Sequence, residues 1–136
     1  MKARKQLSAD GLFKTVRKEF KNIKEHRPIN VEIPLEDALM SAFAMFSLKD
    51  PSLLAFDARR QTKGNLKQVY GIEHIPSDTQ MRTILDGVNP EATRPIYKKV
   101  FQSLQRGKVL EKMLFMGKYY LLSVDGTEYF QSEKIH

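Results

Sequence analysis

Apolar residues recur every three or four positions near the start of the chain, which is the spacing of one face of an α-helix. This pattern predicts a helix over residues 9–25, with Ser8 placed to cap its N-terminus. Its apolar stripe consists of Leu12, Phe13, Val16, Phe20 and Ile23. Lysines and arginines fill positions outside the stripe. One face is therefore predicted to pack, and the other to meet solvent or the phosphates of DNA.

The next segment, LEDALMSAFAMFSL, is apolar on nearly every side from residue 38 to residue 48. Pro34 suits the first turn of a helix, and the two acids that follow favour its N-terminus through the helix dipole. A helix that is apolar all round belongs in the centre of a helical domain.

Several shorter helices are predicted to follow, over residues 51–61, 66–70 and 91–105 and after Ser77, which has capping-box spacing with Gln80. In the helix over residues 91–105, one side is apolar, and the opposite side is lined by Arg94, Lys98, Lys99 and Arg106. Short helices at such spacings are typical of a helix-turn-helix, but also of ordinary packing units.

The pattern changes after Gly107. Residues 119–124 are almost continuously apolar, which predicts a strand covered on both faces, whereas residues 108–113 suit either a helix or a strand. Too few residues follow for more than a hairpin or a small ribbon, which is marginal alone. The prediction is a mostly α protein, with a helical domain over residues 1–106 and the incomplete start of a second domain over residues 107–136.

Composition narrows the possible functions. The chain has 136 residues, 41% of them apolar, and no cysteine, which excludes disulfides and thiolate metal sites. It contains no apolar stretch long enough to cross a membrane and no secretory signal, so a cytoplasmic protein without a membrane partner is predicted.

The net charge of +7 is unevenly distributed: +6 in residues 1–27, −4 in residues 28–57 and +5 in the remainder. Basic surfaces of this kind suit phosphates, although a solvated lysine-rich face has the same composition. The candidate contacts to duplex DNA are Arg17, Lys18, Lys21, Lys24, Arg59, Arg60 and Lys63.

Asp125 follows the predicted strand directly and precedes a glycine. Asp-Gly is a favoured dipeptide of hairpin turns. A carboxylate at the end of a buried strand is also a ligand for Mg²⁺, an ion that usually needs more than one carboxylate. Both interpretations stay open on the local sequence alone.

Three segments, LEDALMSAFAMFSLKDPSLLAFD, IPSDTQMRTILDGVNP and YYLLSVDGTEYFQSEKIH, resemble in this order the DDE-type transposases of bacterial insertion sequences. The resemblance covers residues 12–136. It implies a ribonuclease-H-like catalytic domain that uses Mg²⁺ and three acids in the order Asp, Asp, Glu. Only Asp125 matches the first acid; Glu128 and Glu133 lie too close to it to replace the others, which would follow His136.

In that family the intact enzyme binds the ends of its mobile element and uses Mg²⁺ to cleave and join DNA strands. The resemblance therefore implies that this chain is the N-terminal part of a transposase, cut short, which binds DNA but does not catalyse strand transfer alone. Whether it is an enzyme stays open. The alternatives are a non-catalytic DNA-binding regulator and an inert product of a decayed gene. Expected partners are double-stranded DNA, a second copy of the chain or an intact transposase.

Overall fold

The computed structural model describes residues 7–28, 30–60 and 64–122, except for the side chain of Arg60. The helices of this part are α1 (Ala9–Phe20), α2 (Leu35–Ser47), α3 (Leu53–Arg60), α4 (Gly64–Tyr70), α5 (Asp78–Asp86) and α6 (Arg94–Arg106). Two 3-10 helices, Pro90–Thr93 and Leu110–Met113, stand on either side of α6. None of the helices in this part is both long and apolar enough to cross a membrane.

Helix α1 begins where the sequence predicts but ends five residues earlier. The Ser8 hydroxyl accepts a hydrogen bond from the backbone N–H of Gly11, at 3.1 Å, which confirms the predicted cap. Beyond Phe20, Arg27 donates to the Glu25 carboxylate and to the backbone carbonyl of Ile33. These bonds hold the connection to α2 in a non-helical path, which the apolar spacing alone does not indicate.

Helix α2 lies at the centre of the fold, as its sequence predicts. Ala38, Met40 and Ala44 are fully buried, and α2 packs against α1, α4 and α5. The ring of Phe13 on α1 stacks on that of Tyr70 on α4, with 4.9 Å between centroids, and meets Phe43 of α2 edge-on. Burial of these rings and aliphatic chains supplies the main stabilisation of the helical core.

Helix α6 runs antiparallel to α1 and packs against it. Leu7 lies against Gly107 at one end of the pair, and Lys99 forms an ion pair with Glu19, at 2.7 Å, towards the other. The capping box before α5 is confirmed, because the Ser77 and Gln80 side chains each bond to the other residue's backbone N–H. The predicted last helix is divided, since its first residues form the 3-10 helix that precedes α6.

The predicted first strands of a ribonuclease-H-like domain are wrong for the part of the chain that the structure describes. No named strand occurs there; an isolated antiparallel bridge joins Phe115 to Tyr119. The side chains of Tyr119 and Leu122 are 63% and 88% exposed. An apolar run becomes a buried strand only when neighbouring strands pair with it and other elements cover it, and the described residues provide neither.

The sequence of residues 108–113 suited either a helix or a strand. In the structure this segment includes the 3-10 helix Leu110–Met113. The remaining residues of the predicted strand, 123 and 124, lie outside the described residues. A domain boundary between residues 106 and 107 stays a prediction.

Candidate nucleic-acid interface

Helix α1 carries cationic side chains on two faces, and one face is turned towards the protein. Arg17 is one-quarter exposed, and its Nη2 atom lies 2.8 Å from Asp37 Oδ1 and 3.1 Å from Glu36 Oε1. These contacts join α1 to the first turn of α2. The guanidinium of Arg17 is therefore engaged within the fold.

The Asp37 carboxylate collects four contacts although its side chain is only 2% exposed. Its second oxygen accepts hydrogen bonds from the backbone N–H groups of Glu73, at 3.2 Å, and His74, at 2.8 Å. The His74 Nδ1 atom lies 3.4 Å from the same oxygen. We call Arg17, Glu36, Asp37 and His74 the Asp37 network. It satisfies a buried charge and fixes the segment after α4 against α2.

Gly71 lets that segment turn beside the Arg17 side chain. Its φ of +69° lies in the left-handed region that favours glycine. A Cβ atom there would lie 3.5 Å from Arg17 Cδ, in ordinary contact, so the backbone conformation rather than lack of space is what calls for glycine.

The other face of α1 points into solvent. At about 100° per residue, Lys14, Lys18 and Lys21 lie opposite the buried Val16. Lys14 pairs with Asp10 at 2.9 Å. Lys18, Lys21 and the following Lys24 are exposed and belong to no ion pair among the described residues.

Helix α6 adds cations beside α1. Lys99 neutralises Glu19 at the contact of the two helices, and Arg94 pairs with Glu91. Lys98 and Arg106 are exposed and in no ion pair within the described part of the chain. We define the basic face as five residues: Lys18, Lys21, Lys24, Lys98 and Arg106. Exposed cations without ion-pair partners, carried by two helices that pack against each other, are candidate contacts for the phosphates of a nucleic acid.

Three of the seven predicted DNA contacts, Lys18, Lys21 and Lys24, lie on this face. Arg59 instead lies along the Asp50 carboxylate, with Nε 2.9 and 3.1 Å from its two oxygens and Nη2 2.7 Å from one of them. These hydrogen bonds raise the pKa of Arg59. The Arg60 side chain and Lys63 lie outside the described residues.

The predicted catalytic and metal-binding residue, Asp125, also lies outside the described residues. Within them, no three His, Asp or Glu side chains come together in a group that could hold a metal ion. The use of Mg²⁺ by the intact family enzyme, and the expectation that this chain alone does not bind it, both stay predictions.

The sequence placed Lys98 and Arg106 on the outer side of the last helix, but did not select them as contacts. The sequence feature that could have identified them is the recurrence of basic residues on the face of the helix opposite its apolar face. The sequence pattern also did not single out His26, which packs against Gly87 at the end of α5: a Cβ at residue 87 would collide with the His26 ring. That close approach joins elements far apart in sequence, which local pattern does not reveal.

A second surface lies next to the basic face. A groove of about 460 Å³ opens between α2 and the N-terminal part of α6. Its lining is Phe20, Leu39, Ala42, Phe43, Phe46, Ser47, Thr93 and Tyr97. Phe46 and Tyr97 are 75% and 50% exposed, and Phe101, one turn after Tyr97 on α6, is 55% exposed. We call the lining together with Phe101 the aromatic groove. Exposed aromatic side chains gathered around one groove make it a candidate contact site.

The likeness to insertion-sequence transposases rests on the sequence segments alone. Comparison of the chain with protein-family models, with curated proteins and with solved structures found no match.

Proposed function

We propose that this chain binds DNA through its phosphate backbone, with the basic face as the contact surface. The observation that carries the proposal is the division of the cations along α1: carboxylates hold Arg17, whereas Lys18 and the C-cap residue Lys21 form no ion pair in the described part. Cations without carboxylate partners are free to replace the counterions of DNA, and release of those ions drives binding.

The net charge of +7 supports the same function, since a protein of this charge attracts a polyanion at long range. Together with the resemblance to transposases, it leads us to propose the ends of a mobile element as the DNA bound in the cytoplasm. The proposal concerns binding alone. It therefore applies equally to a part of an enzyme and to a regulator that occupies the same DNA ends.

The test is the affinity of the chain for a fluorescently labelled duplex, measured by anisotropy across a salt series. Phosphate binding predicts a linear fall of log K with log salt, with a slope of about −0.9 for each phosphate neutralised. The triple variant Lys18→Gln, Lys21→Gln, Lys24→Gln removes three contacts. Its slope should be shallower by about 2 to 3.

A matched variant controls for net charge. Lys49, Arg82 and Lys118 are exposed, lie outside α1 and α6, and belong to no ion pair among the described residues. Changing these three to Gln lowers the net charge from +7 to +4 (7 − 3), as the first triple variant does. We expect this control to keep most of the original slope. Equal losses in both variants, or no duplex binding by the original chain at low salt, would contradict the proposal.

A further inference from the structure

We infer that the aromatic groove binds unpaired nucleobases, so that the chain prefers single-stranded DNA to a fully paired duplex. The inference rests on the proposed function, because the phosphates on either side of such a base would meet the basic face. It adds a second kind of contact, which the cations alone do not supply: stacking of a base on an aromatic side chain.

The residues that line the groove have the chemistry that stacking of a nucleobase requires. Phe20 and Phe43 line its interior, and the more exposed rings of Phe46 and Tyr97 stand at its opening. The Ser47 hydroxyl is engaged with the Tyr70 hydroxyl, at 2.7 Å. The lining is thus largely apolar, with few polar groups left for a ligand. Such a surface stabilises a base by stacking and burial, with little dependence on which base it is.

Cations alternate with these rings along the chain. Lys98 directly follows Tyr97, and Lys21 directly follows Phe20; both lysines belong to the basic face. Tyr97 and Phe101 are four residues apart and therefore share one side of α6. Rings for bases beside cations for phosphates are the arrangement used by proteins that bind single strands.

This charge pattern decides between two kinds of occupant. An apolar segment of another protein also fits a groove, but by itself it offers nothing to the unpaired Lys21 and Lys98. A single strand of DNA offers both: its bases can stack on the aromatic side chains, and its phosphates carry negative charge at regular intervals along the backbone. In an intact duplex the bases are stacked on each other and cannot enter a groove between two helices.

The experiment compares three labelled probes at one salt concentration: an oligodeoxythymidylate, an abasic strand of equal length and a duplex of equal length. The abasic strand keeps the phosphates and lacks the bases. We expect the thymidylate strand to bind about tenfold or more tightly than the abasic strand. Equal affinities for these two probes would overturn the inference, while duplex binding with a steep salt dependence would leave the proposed function intact.

A variant locates the effect. The double change Tyr97→Leu, Phe101→Leu keeps apolar side chains at two exposed positions and removes their rings. It should weaken binding of the thymidylate strand about tenfold and change abasic and duplex binding by no more than about twofold. Tyr120→Leu is the matched control, since Tyr120 is 57% exposed and lies outside the groove. It should change none of the three affinities.

Two results would contradict this assignment. An equal loss for all three probes would mean that the rings act only through the fold or through the basic face. Unchanged thymidylate binding would exclude bases from the groove and leave a protein segment as its occupant. The lysine triple variant separates the two proposals, because it weakens abasic and duplex binding, which the groove does not govern.

Discussion

Two neighbouring residues of α1 show how differently one helix uses its positive charges. Arg17 lies at the edge of the core and belongs to the Asp37 network, where its nearest carboxylate is 2% exposed. Lys18, the next residue, lies about 100° further round the helix, exposed and outside every ion pair of the described residues. The region around Arg17 stabilises the fold, whereas the face that carries Lys18 is available to a partner.

Position relative to the core, rather than charge, therefore separates a structural cation from a candidate phosphate contact. A charge removed from water needs a partner and hydrogen bonds, or it destabilises the protein. A solvated charge has no such requirement and contributes little to stability. Substitutions in the two regions should therefore affect different measurements.

The largest effect is expected at the centre of the Asp37 network. Asp37→Ala removes the acceptor for Arg17 and for two backbone N–H groups and leaves the guanidinium short of a partner in a half-buried position. The free energy of unfolding should fall by about 3 to 5 kcal/mol. Urea denaturation followed by far-UV circular dichroism measures it.

Glu36→Gln is the control for that measurement, since Glu36 is 22% exposed and Arg17 keeps Asp37. It should cost about 1 kcal/mol or less. Similar small losses in both variants would mean that the network does not differ from a surface ion pair.

The ion pair between Glu25 and Arg27 should make the free energy of unfolding depend on pH. Hydrogen bonds from the Arg27 side chain to the Glu25 carboxylate lower the pKa of Glu25 from 4.5 to about 2. Because the folded pKa lies below the unfolded value, the pair stabilises the fold above pH 4.5. That contribution is lost as the pH falls towards about 2.

Glu25→Gln should therefore lower the free energy of unfolding by about 1 kcal/mol at neutral pH, a modest value because the pair is partly solvated. The difference between the variant and the original chain should vanish near the low end of that pH range. A difference that stays constant from neutral pH down to pH 2 would contradict the link to this carboxylate.

The sequence could predict what depends on neighbours along the chain. The Ser8 cap, the Ser77 capping box and the central burial of α2 follow from spacing over a few residues. The engagement of Arg17 does not, because its partners stand 19 and 20 positions away. The one available signal was Asp37 itself, an acid next to the apolar run of α2, which was interpreted only through the helix dipole.

The predicted strand is wrong over its described residues, 119–122, for a related reason. The apolar run at residues 119–122 has strand character, but pairing and cover come from elsewhere in a protein, and the described residues supply only the bridge at Phe115. For the same reason the aromatic groove was not predicted: Phe46 and Tyr97 come from separate helices, α2 and α6, and line one groove only because both helices pack against α1.

The division of α1 into a structural face and a DNA-binding face is tested by comparing Arg17→Gln with Lys18→Gln, two adjacent changes that each remove one positive charge. For both variants we measure the free energy of unfolding and the salt dependence of duplex binding. Binding is measured under conditions in which circular dichroism shows each variant to be folded. Arg17→Gln should lower the unfolding free energy by about 2 to 3 kcal/mol and leave the slope of log K against log salt unchanged. Lys18→Gln should leave stability within about 0.5 kcal/mol and make that slope shallower by about 1. A slope reduced as much by Arg17→Gln as by Lys18→Gln would contradict the division of α1 into a structural face and a DNA-binding face.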